Sequence, residues 1–210
     1  MPRILVTSGP TRQYLDPVRF LTNGSSGRMG QALAKAALAA GHDVVVVSGP
    51  VEVKYPAAAE VVHVISTEEM LAECLKIFPH CDGLIGVAAP CDYRPKQTAA
   101  HKIRKTGQSL HLELVETPDI IAQLGKCKGS QWLVAFALET SDHRLRAMQK
   151  LERKNCDLVV VNGPAAMYST KTQVEVIDCR GQVLAAMSGS KQKVARKLFR
   201  LIEQRLMGRE

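Results

Sequence analysis

Gly27-Arg28-Met29-Gly30-Gln31-Ala32-Leu33-Ala34-Lys35-Ala36-Ala37-Leu38-Ala39-Ala40-Gly41-His42-Asp43-Val44-Val45-Val46-Val47-Ser48 carries two hydrophobic periods in succession. Met29, Leu33, Ala36, Ala37 and Ala40 recur at helical spacing, and Gly41 stands where a helix ends in a C′ residue. The valine run from His42 to Ser48 has no polar alternation, which predicts a strand buried on both faces. Upstream, Arg3 to Thr7 is a second short apolar run, closed by the turn residues Ser8-Gly9-Pro10. Strand, helix, strand is the repeating unit of a parallel sheet.

The rhythm continues along the chain. Val61 to Ile65 reads as a strand, Thr67 as the cap of a helix running to Phe78, and Gly83 to Ala88 as another buried strand. Leu110 to Val115 alternates as a strand does, Pro118 to Leu124 is a Pro-initiated helix, and Trp132 to Phe136 is a further strand. A helix from Asp142 to Lys154 and a strand from Leu158 to Val161 follow. Gln173 to Asp178 and Gln182 to Met187, joined by Arg180-Gly181, read as a β-hairpin, and a basic amphipathic helix from Lys191 to Leu206 closes the chain. After Ser8-Gly9-Pro10 the chain is expected to stay irregular through Pro17 to Asn23. The reading is one α/β domain over residues 1–210: a doubly wound, mostly parallel, Rossmann-like sheet with a small antiparallel addition near the C-terminus.

Composition narrows the classes further. The 210 residues are 46% hydrophobic and 23% charged, close to a soluble globular average and far from disordered or fibrous chains. No apolar run approaches the roughly 18–20 residues of a membrane span, and Met1-Pro2-Arg3 leads into the first strand without a signal core. The six cysteines, Cys74, Cys81, Cys91, Cys127, Cys156 and Cys179, are scattered without a C-x-x-C pair, as expected of reduced thiols in a cytoplasmic protein. Cys91 has no histidine in the local context of a Cys-His pair, so a nucleophilic role is disfavoured. The histidines show no metal-ligand spacing, and no protein-held metal is expected.

The net charge of +8 is uneven. Residues 190–210 hold seven basic side chains against Glu203 and Glu210, and Arg94, Lys96, Lys102, Arg104 and Lys105 form a second basic group with no acid inside it. The second group resembles a polyphosphate clamp more than a duplex-binding face. With aromatics at 4% and no stacking platform or helix-turn-helix pattern, nucleic acid is not an expected partner.

Ligands of open parallel sheets bind outside the carboxyl ends of strands, so the strand exits are where chemistry is sought. Asn23-Gly24-Ser25-Ser26-Gly27 opens onto a helix, and backbone N–H groups there, with the hydroxyls of Ser25 and Ser26 and the close approach allowed by Gly27, suit a phosphate. A plain Ser-capped helix start has the same appearance. A dinucleotide fingerprint fits poorly: the glycines fall as G-x-x-G-x-x-G, away from strand one, and the second strand ends in Ser48-Gly49-Pro50 where a ribose-binding acid is expected. NAD is disfavoured and NADP remains open.

After the strand at Gly83, small residues Gly86-Val87-Ala88-Ala89 allow a base or ribose to lie against the backbone, and Asp92 can meet a ribose or a metal. Lys102 and its neighbours can neutralise a triphosphate, although a basic run is commonly solvated surface. Pro118-Asp119-Ile120-Ile121, Phe136-Ala137-Leu138-Glu139-Thr140 and Asn162 are further strand-exit positions, and Lys150 and Lys154 share a helix face on which both could reach one polyanion or both face water.

Together these segments resemble the phosphopantothenate-cysteine ligases (phosphopantothenoylcysteine synthetases) of coenzyme A biosynthesis. The resemblance is carried by Leu15-Asp16-Pro17-Val18-Arg19-Phe20-Leu21-Thr22-Asn23, Ser25-Ser26-Gly27-Arg28-Met29-Gly30, Ala88-Ala89, Asp92-Tyr93-Arg94-Pro95 and Lys102-Ile103-Arg104-Lys105, in order along nearly the whole chain. Pro118-Asp119-Ile120, Phe136-Ala137, Glu139-Thr140, Lys154-Asn155 and Asp157-Leu158 support it.

The resemblance implies that a nucleoside triphosphate, CTP more than ATP, activates 4′-phosphopantothenate as an acyl-nucleotidylate with Mg²⁺ present, and that L-cysteine then displaces the nucleoside monophosphate. It implies that Asn23 orients the intermediate's carbonyl, that Arg19 and Ala89 contact the same intermediate, and that Lys102 stabilises the triphosphate. Gly86, Val87, Ala88, Asp92, Pro118, Asp119, Ile120, Ile121, Phe136, Lys150 and Lys154 would surround the nucleotide. A homodimer is implied, with Arg19 serving the partner's site. So is a stand-alone ligase without the flavin-binding decarboxylase half.

The sequence departs from the family at Pro10, where Gly is usual, at Arg104 in K-I-R-K, at Leu138, and at Gly163 with the short loop 164–171 after it. The alternative class is an NADP- or flavin-linked oxidoreductase, which the doubly wound sheet and the Gly-rich helix start would also serve.

Overall fold

The computed structural model describes residues 1–138, 151, 153–162 and 171–208. The valine run is divided between two layers by the period of a strand. β1 (Arg3–Ser8) and β4 (Asp43–Ser48) pair in parallel and in register, Ile4 beside Val44 and Val6 beside Val46. Those four side chains face one layer, where they meet Leu33, Ala36 and Ala37 of α1 (Arg28–Ala39) and Val194, Leu198 and Phe199 of α4 (Lys191–Leu206). Leu5, Val45 and Val47 face the other, against Met70 and Cys74 of α2 (Thr67–Ile77) and Leu124 of α3 (Ile120–Cys127). Helices are therefore required on both faces, and each fully buried aliphatic contributes about 1.5–3 kcal/mol.

Among the described residues the main sheet has eight strands in the order β12 (Val183–Ser190), β11 (Lys171–Asp178), β10 (Leu158–Asn162), β9 (Trp132–Leu138), β6 (Gly83–Gly86), β1, β4, β5 (Glu60–His63). β5, β6, β9 and β10 join β1 and β4 in parallel. β11 and β12 add antiparallel at one edge, the C-terminal hairpin expected from the sequence. The chain first winds outward from β1 to β4 and β5, then crosses back to β6 on the other side of β1. That reversal puts the topological switch point at the carboxyl ends of β1 and β6.

Several expectations need correction. The chain from Pro10 through Asn23 is not wholly irregular: β2 (Arg12–Tyr14) and β3 (Phe20–Thr22) form a two-stranded ribbon, with Tyr14 edge-on to Phe20 and the Arg12 guanidinium 4.4 Å above the Phe20 ring. Leu110 to Val115 is not a strand of the main sheet; only β8 (Leu114–Glu116) is extended, paired with β7 (Tyr93–Pro95) in a second ribbon. Leu110, Leu112 and Leu114 alternate but are all exposed, which is why the pattern misleads. Helix α2 is capped by Ser66, whose hydroxyl accepts the Glu69 N–H, and α3 is capped by Asp119, which accepts the Ala122 N–H at 3.1 Å. The expected helix 142–154 lies largely outside the described residues.

Candidate functional site

Two contiguous lobes open at the carboxyl ends of β1, β6 and β9, and Ala88, Pro90, Asp92 and Phe136 line both. The walls follow from how the chain leaves β1 and β6. After Ser8 the backbone crosses the sheet edge rather than entering a helix: Pro10 bridges to Ala89, and the Ala89 N–H reaches the Gly9 carbonyl at 2.9 Å. Thr11 Oγ1 accepts the Cys91 N–H at 2.8 Å, and Thr7 Oγ1 accepts the Ala88 N–H at 3.3 Å. The strand-exit segment 87–91 is thus fixed by backbone and hydroxyl contacts to residues 7–11.

The first lobe, about 360 Å³, is bounded by Gly86, Ala88, Asp92, the turn Pro118-Asp119-Ile120-Ile121, Phe136, Arg153 and Lys154. Asp119 binds Lys154 at 2.9 Å and Arg153 at 3.6 Å while capping α3. Burial alone would raise the Asp119 carboxyl, but the Lys154 hydrogen bond, the Ala122 N–H and the two cations hold it below its ordinary range. Asn155, at φ 51, donates its side-chain amide to the Gly125 carbonyl at 3.0 Å and so fixes the chain just after Lys154.

The second lobe, about 500 Å³, is lined by Asn23, residues 24–30, Val87, Ala88, Ala89, Asn162, Thr172 and Lys191. Asn23 donates its amide to the Pro90 carbonyl at 2.8 Å and to Ala89 at 3.4 Å, joining the approach to α1 to the exit of β6. Gly27 ends that approach at φ 70, a left-handed conformation, and provides no side-chain cap for α1. Gly30 is required by contact instead: a Cβ there would stand 2.1 Å from Ser8 Oγ. The first turn of α1 consequently lies against β1 and presents its N–H groups to the lobe.

The residues expected from sequence divide three ways. Gly86, Ala88, Asp92, Pro118, Asp119, Ile120, Ile121, Phe136 and Lys154 come together in the first lobe, and Asn23, Ser25, Ser26, Gly27, Val87 and Ala89 in the second. Arg19 and Lys102 line neither. Arg19 is held by the buried Asp16 carboxylate at 2.6 Å and by the Ile103 carbonyl at 3.1 Å, while Lys102 is exposed on the arm between β7 and β8. Lys150, Glu139, Thr140 and Gly163 lie outside the described residues.

Asp16 organises that arm. Burial would raise its carboxyl, yet the N–H groups of Val18, Ile103 and Arg19 and the Arg19 guanidinium bring it down to about 2. The arm is fastened again where the Ala99 N–H meets the Leu15 carbonyl and Thr98 Oγ1 meets that of Tyr14. Two members of the basic group are neutralised, Arg94 by Glu68 at 3.2 Å and Lys96 by Glu113 at 2.8 Å, leaving Lys102, Arg104 and Lys105 exposed.

Glu116, Thr117, Arg153, Thr172 and Lys191 line the lobes without having been picked out as site residues. Lys191 was legible only as one of many C-terminal basic residues. Thr172 carries no local signal, since its position depends on the register of β11. All six cysteines are free. Cys91 donates its thiol to the Tyr93 carbonyl at 3.2 Å, and burial pushes that thiol up, the reverse of what a nucleophile needs. No helix among the described residues is long and apolar enough to cross a membrane.

The model of the DNA/pantothenate metabolism flavoprotein C-terminal domain matches residues 2–206. The Coenzyme A biosynthesis bifunctional protein CoaBC of Bacillus subtilis (strain 168) is 44% identical over 160 residues, covering 76% of this chain and 39% of that protein. The chain therefore spans about two-fifths of the length of that curated relative. The crystal structure of the C-terminal domain of a Coenzyme A biosynthesis bifunctional protein CoaBC superposes with a TM-score of 0.85 at 36% identity, covering 99% of this chain and 97% of that one. A Cab2 variant in complex with phosphopantothenate-cysteine has a TM-score of 0.80 over 99% of this chain and 88% of its own, and at 17% identity it is a likeness of fold.

Proposed function

Given that the chain belongs to the family of the DNA/pantothenate metabolism flavoprotein C-terminal domain, we propose that it joins 4′-phosphopantothenate to L-cysteine as a phosphopantothenate-cysteine ligase. The observation that carries this reading is the pair of contiguous lobes sharing Ala88, Pro90, Asp92 and Phe136. A nucleotide in the first and an acid in the second would meet at that common wall.

The reaction has two halves. The carboxylate of 4′-phosphopantothenate attacks the α-phosphorus of CTP, the bond to the leaving pyrophosphate breaks, and an acyl-cytidylate forms. The amine of cysteine then adds to the acyl carbon, loses a proton, and expels CMP to leave the amide. Neither half needs a protein nucleophile, so positioning and charge stabilisation are the work left to the chain. The Pro118–Ile121 turn and Phe136 would hold the base and ribose, with Arg153 and Lys154 as the cations of that wall. Asn23 is aimed at the Ala89–Pro90 carbonyls beside the junction, where its amide can orient the acyl group. Ser25, Ser26 and the open start of α1 would receive a phosphate.

Mg²⁺ would enter with the triphosphate. Among the described residues, Asp92 and Glu116 are the carboxylates lining the first lobe besides the cation-paired Asp119, and no group of three metal-ligating acids, histidines or cysteines occurs. That donor set suits an ion that keeps its waters and substrate oxygens rather than an all-protein cage; when bound it would neutralise phosphate charge.

Lys102 and Arg19 lie on the segments joined through Asp16, and the exposed Leu110, Leu112 and Leu114 on the same arm, with Val18 and Phe20 nearby in sequence to Arg19, favour a homodimer in which these segments meet the partner. The oxidoreductase alternative is less well supported. A Cβ at Gly49 would lie 1.7 Å from the Pro10 carbonyl oxygen, and Ser48 Oγ is engaged with Tyr55, so chain fills the region where a dinucleotide's ribose would lie.

The experiment is a mass-resolved assay with Mg²⁺, 4′-phosphopantothenate and cysteine, comparing CTP with ATP. The expected result is amide and pyrophosphate in equal amounts, more with CTP. Absence of both products with either nucleotide overturns the reading.

A further inference from the structure

The floor of the second lobe comes from the far end of the chain. Thr172 of β11 is only 6% exposed, lines the lobe, and its hydroxyl has no hydrogen-bond partner among the described residues. Lys191, the first residue of α4, lines the same lobe and is half-buried. Opposite stands the start of α1, where Gly27 offers no side-chain cap and Arg28 begins the helix. The open first turn of one helix, a lysine, an arginine and an unpartnered buried hydroxyl therefore converge. Asp92, at the junction with the first lobe, is the only acidic side chain among the described residues lining this one.

A buried hydroxyl without a partner is unfavourable unless something supplies one. Burial and the nearby Arg28 also lower the Lys191 ammonium's pKa, and a bound anion would relieve both influences. The chemistry is that of a compact dianion: donors on several sides, positive charge on two, and backbone N–H groups at a helix start.

We infer that Lys191 and Thr172 are specificity-determining residues that grip the phosphomonoester of the acid substrate and so select the phosphorylated acid over its unphosphorylated counterpart. The inference rests on the ligase reading for the identity of the acid, and adds two residues that no motif of the site contains.

The test is calorimetric titration of the full chain and of Lys191→Ala and Thr172→Val with 4′-phosphopantothenate, pantothenate and CTP. The wild type is expected to bind the phosphorylated acid at least tenfold more tightly than pantothenate. Lys191→Ala is expected to remove about tenfold of that preference and Thr172→Val about threefold, an ordinary range for one charged and one neutral hydrogen bond. CTP affinity is expected to stay unchanged in both. Thr172→Val, which deletes an unpartnered hydroxyl, is also expected to unfold at or above the wild-type temperature, showing that weaker binding is not weaker folding.

Variants that keep the wild-type preference, a wild type without preference, or a loss confined to CTP would each overturn the assignment. Loss of preference in the variants of a protein that makes no amide with either nucleotide would leave the anion site standing and sink the ligase reading. Amide synthesis with unaltered preference in the variants would do the opposite.

Discussion

Asn23 donates its side-chain amide to the Pro90 carbonyl at 2.8 Å, across the seam where the chain entering α1 meets the chain leaving β6. Both lobes are bounded by that seam, so a short polar side chain sets the spacing between the two bound molecules of the proposed reaction. Asn23→Ala leaves the seam's backbone contacts, Ala89 N–H to Gly9 carbonyl and Cys91 N–H to Thr11 Oγ1, in place. The expected outcome is a fall in amide synthesis of about 10²-fold or more, the size of losing an oriented donor at a developing charge, with little change in Tm. Single-turnover product formation and thermal unfolding measured on the same preparation check this.

Asp16 gives a pH prediction. Its folded pKa of about 2 lies below the ordinary carboxylate value of 3.8, so the stabilisation it provides is present above about pH 4 and is lost as pH falls towards 2. Ile103, Val18 and Arg19 N–H groups all end on this carboxylate. Amide hydrogen exchange at those three positions, corrected for intrinsic rate, is expected to accelerate selectively over that interval. Asp16→Asn is expected to loosen the arm and speed trypsin cleavage after the already exposed Arg104 and Lys105 at neutral pH; unchanged cleavage there would show that the arm is held by other contacts.

Asp119 both caps α3 and binds Lys154. Asp119→Ala is expected to destabilise the fold by about 1–2 kcal/mol, the upper part of the range for a lost N-cap, and to weaken CTP binding because the lobe's lysine loses its anchor. Since the Asp119 carboxyl is held below its ordinary range, its contribution is present above the unfolded pKa and lost as pH falls through the folded one. Denaturant titrations at neutral and acid pH measure the first effect, and CTP calorimetry the second.

Gly30 and Ser8 test the packing that opens the start of α1. Gly30→Ala is expected to cost roughly 1–3 kcal/mol, as overpacking of a close contact does, because its Cβ would meet Ser8 Oγ and Cβ. Ser8→Gly is expected to recover part of that loss in the double variant. Strict additivity in the cycle would show that the two sites do not touch.

Much of the sheet was legible because its strands are continuous Val, Ile and Leu runs bounded by turns, and burial on both faces leaves such runs no other use. The helix Lys191–Leu206 was legible to its end residues, since Val194, Leu198, Phe199 and Ile202 form one apolar stripe. The ribbons were not: Arg12–Tyr14 and Tyr93–Pro95 are three-residue, charged segments whose extended form depends on a partner distant in sequence. Gly86, Ala88, Asp92, Asp119 and Phe136 of the first lobe were picked out because they lie at or after strand exits, whereas Glu116, Thr117 and Arg153 carry no such signal. Thr172 and Lys191 were missed because only the antiparallel return of β11 and β12 brings position 172 and position 191 under α1.

Between β1 and α1 the chain spends nineteen residues, Gly9 to Gly27, on a detour that a simple nucleotide-binding unit would replace with one tight turn. That detour is anchored to the sheet at Pro10 and returns through Asn23, so it encloses a second compartment without disturbing the first. Under the proposed function, recognition of the acyl donor and of the nucleotide would be encoded in separate stretches of sequence. If the proposed ligase activity holds, rewriting residues 23–30 with their floor is expected to change the carboxylic acid accepted while nucleotide binding persists, which makes this detour the natural graft point for redesign.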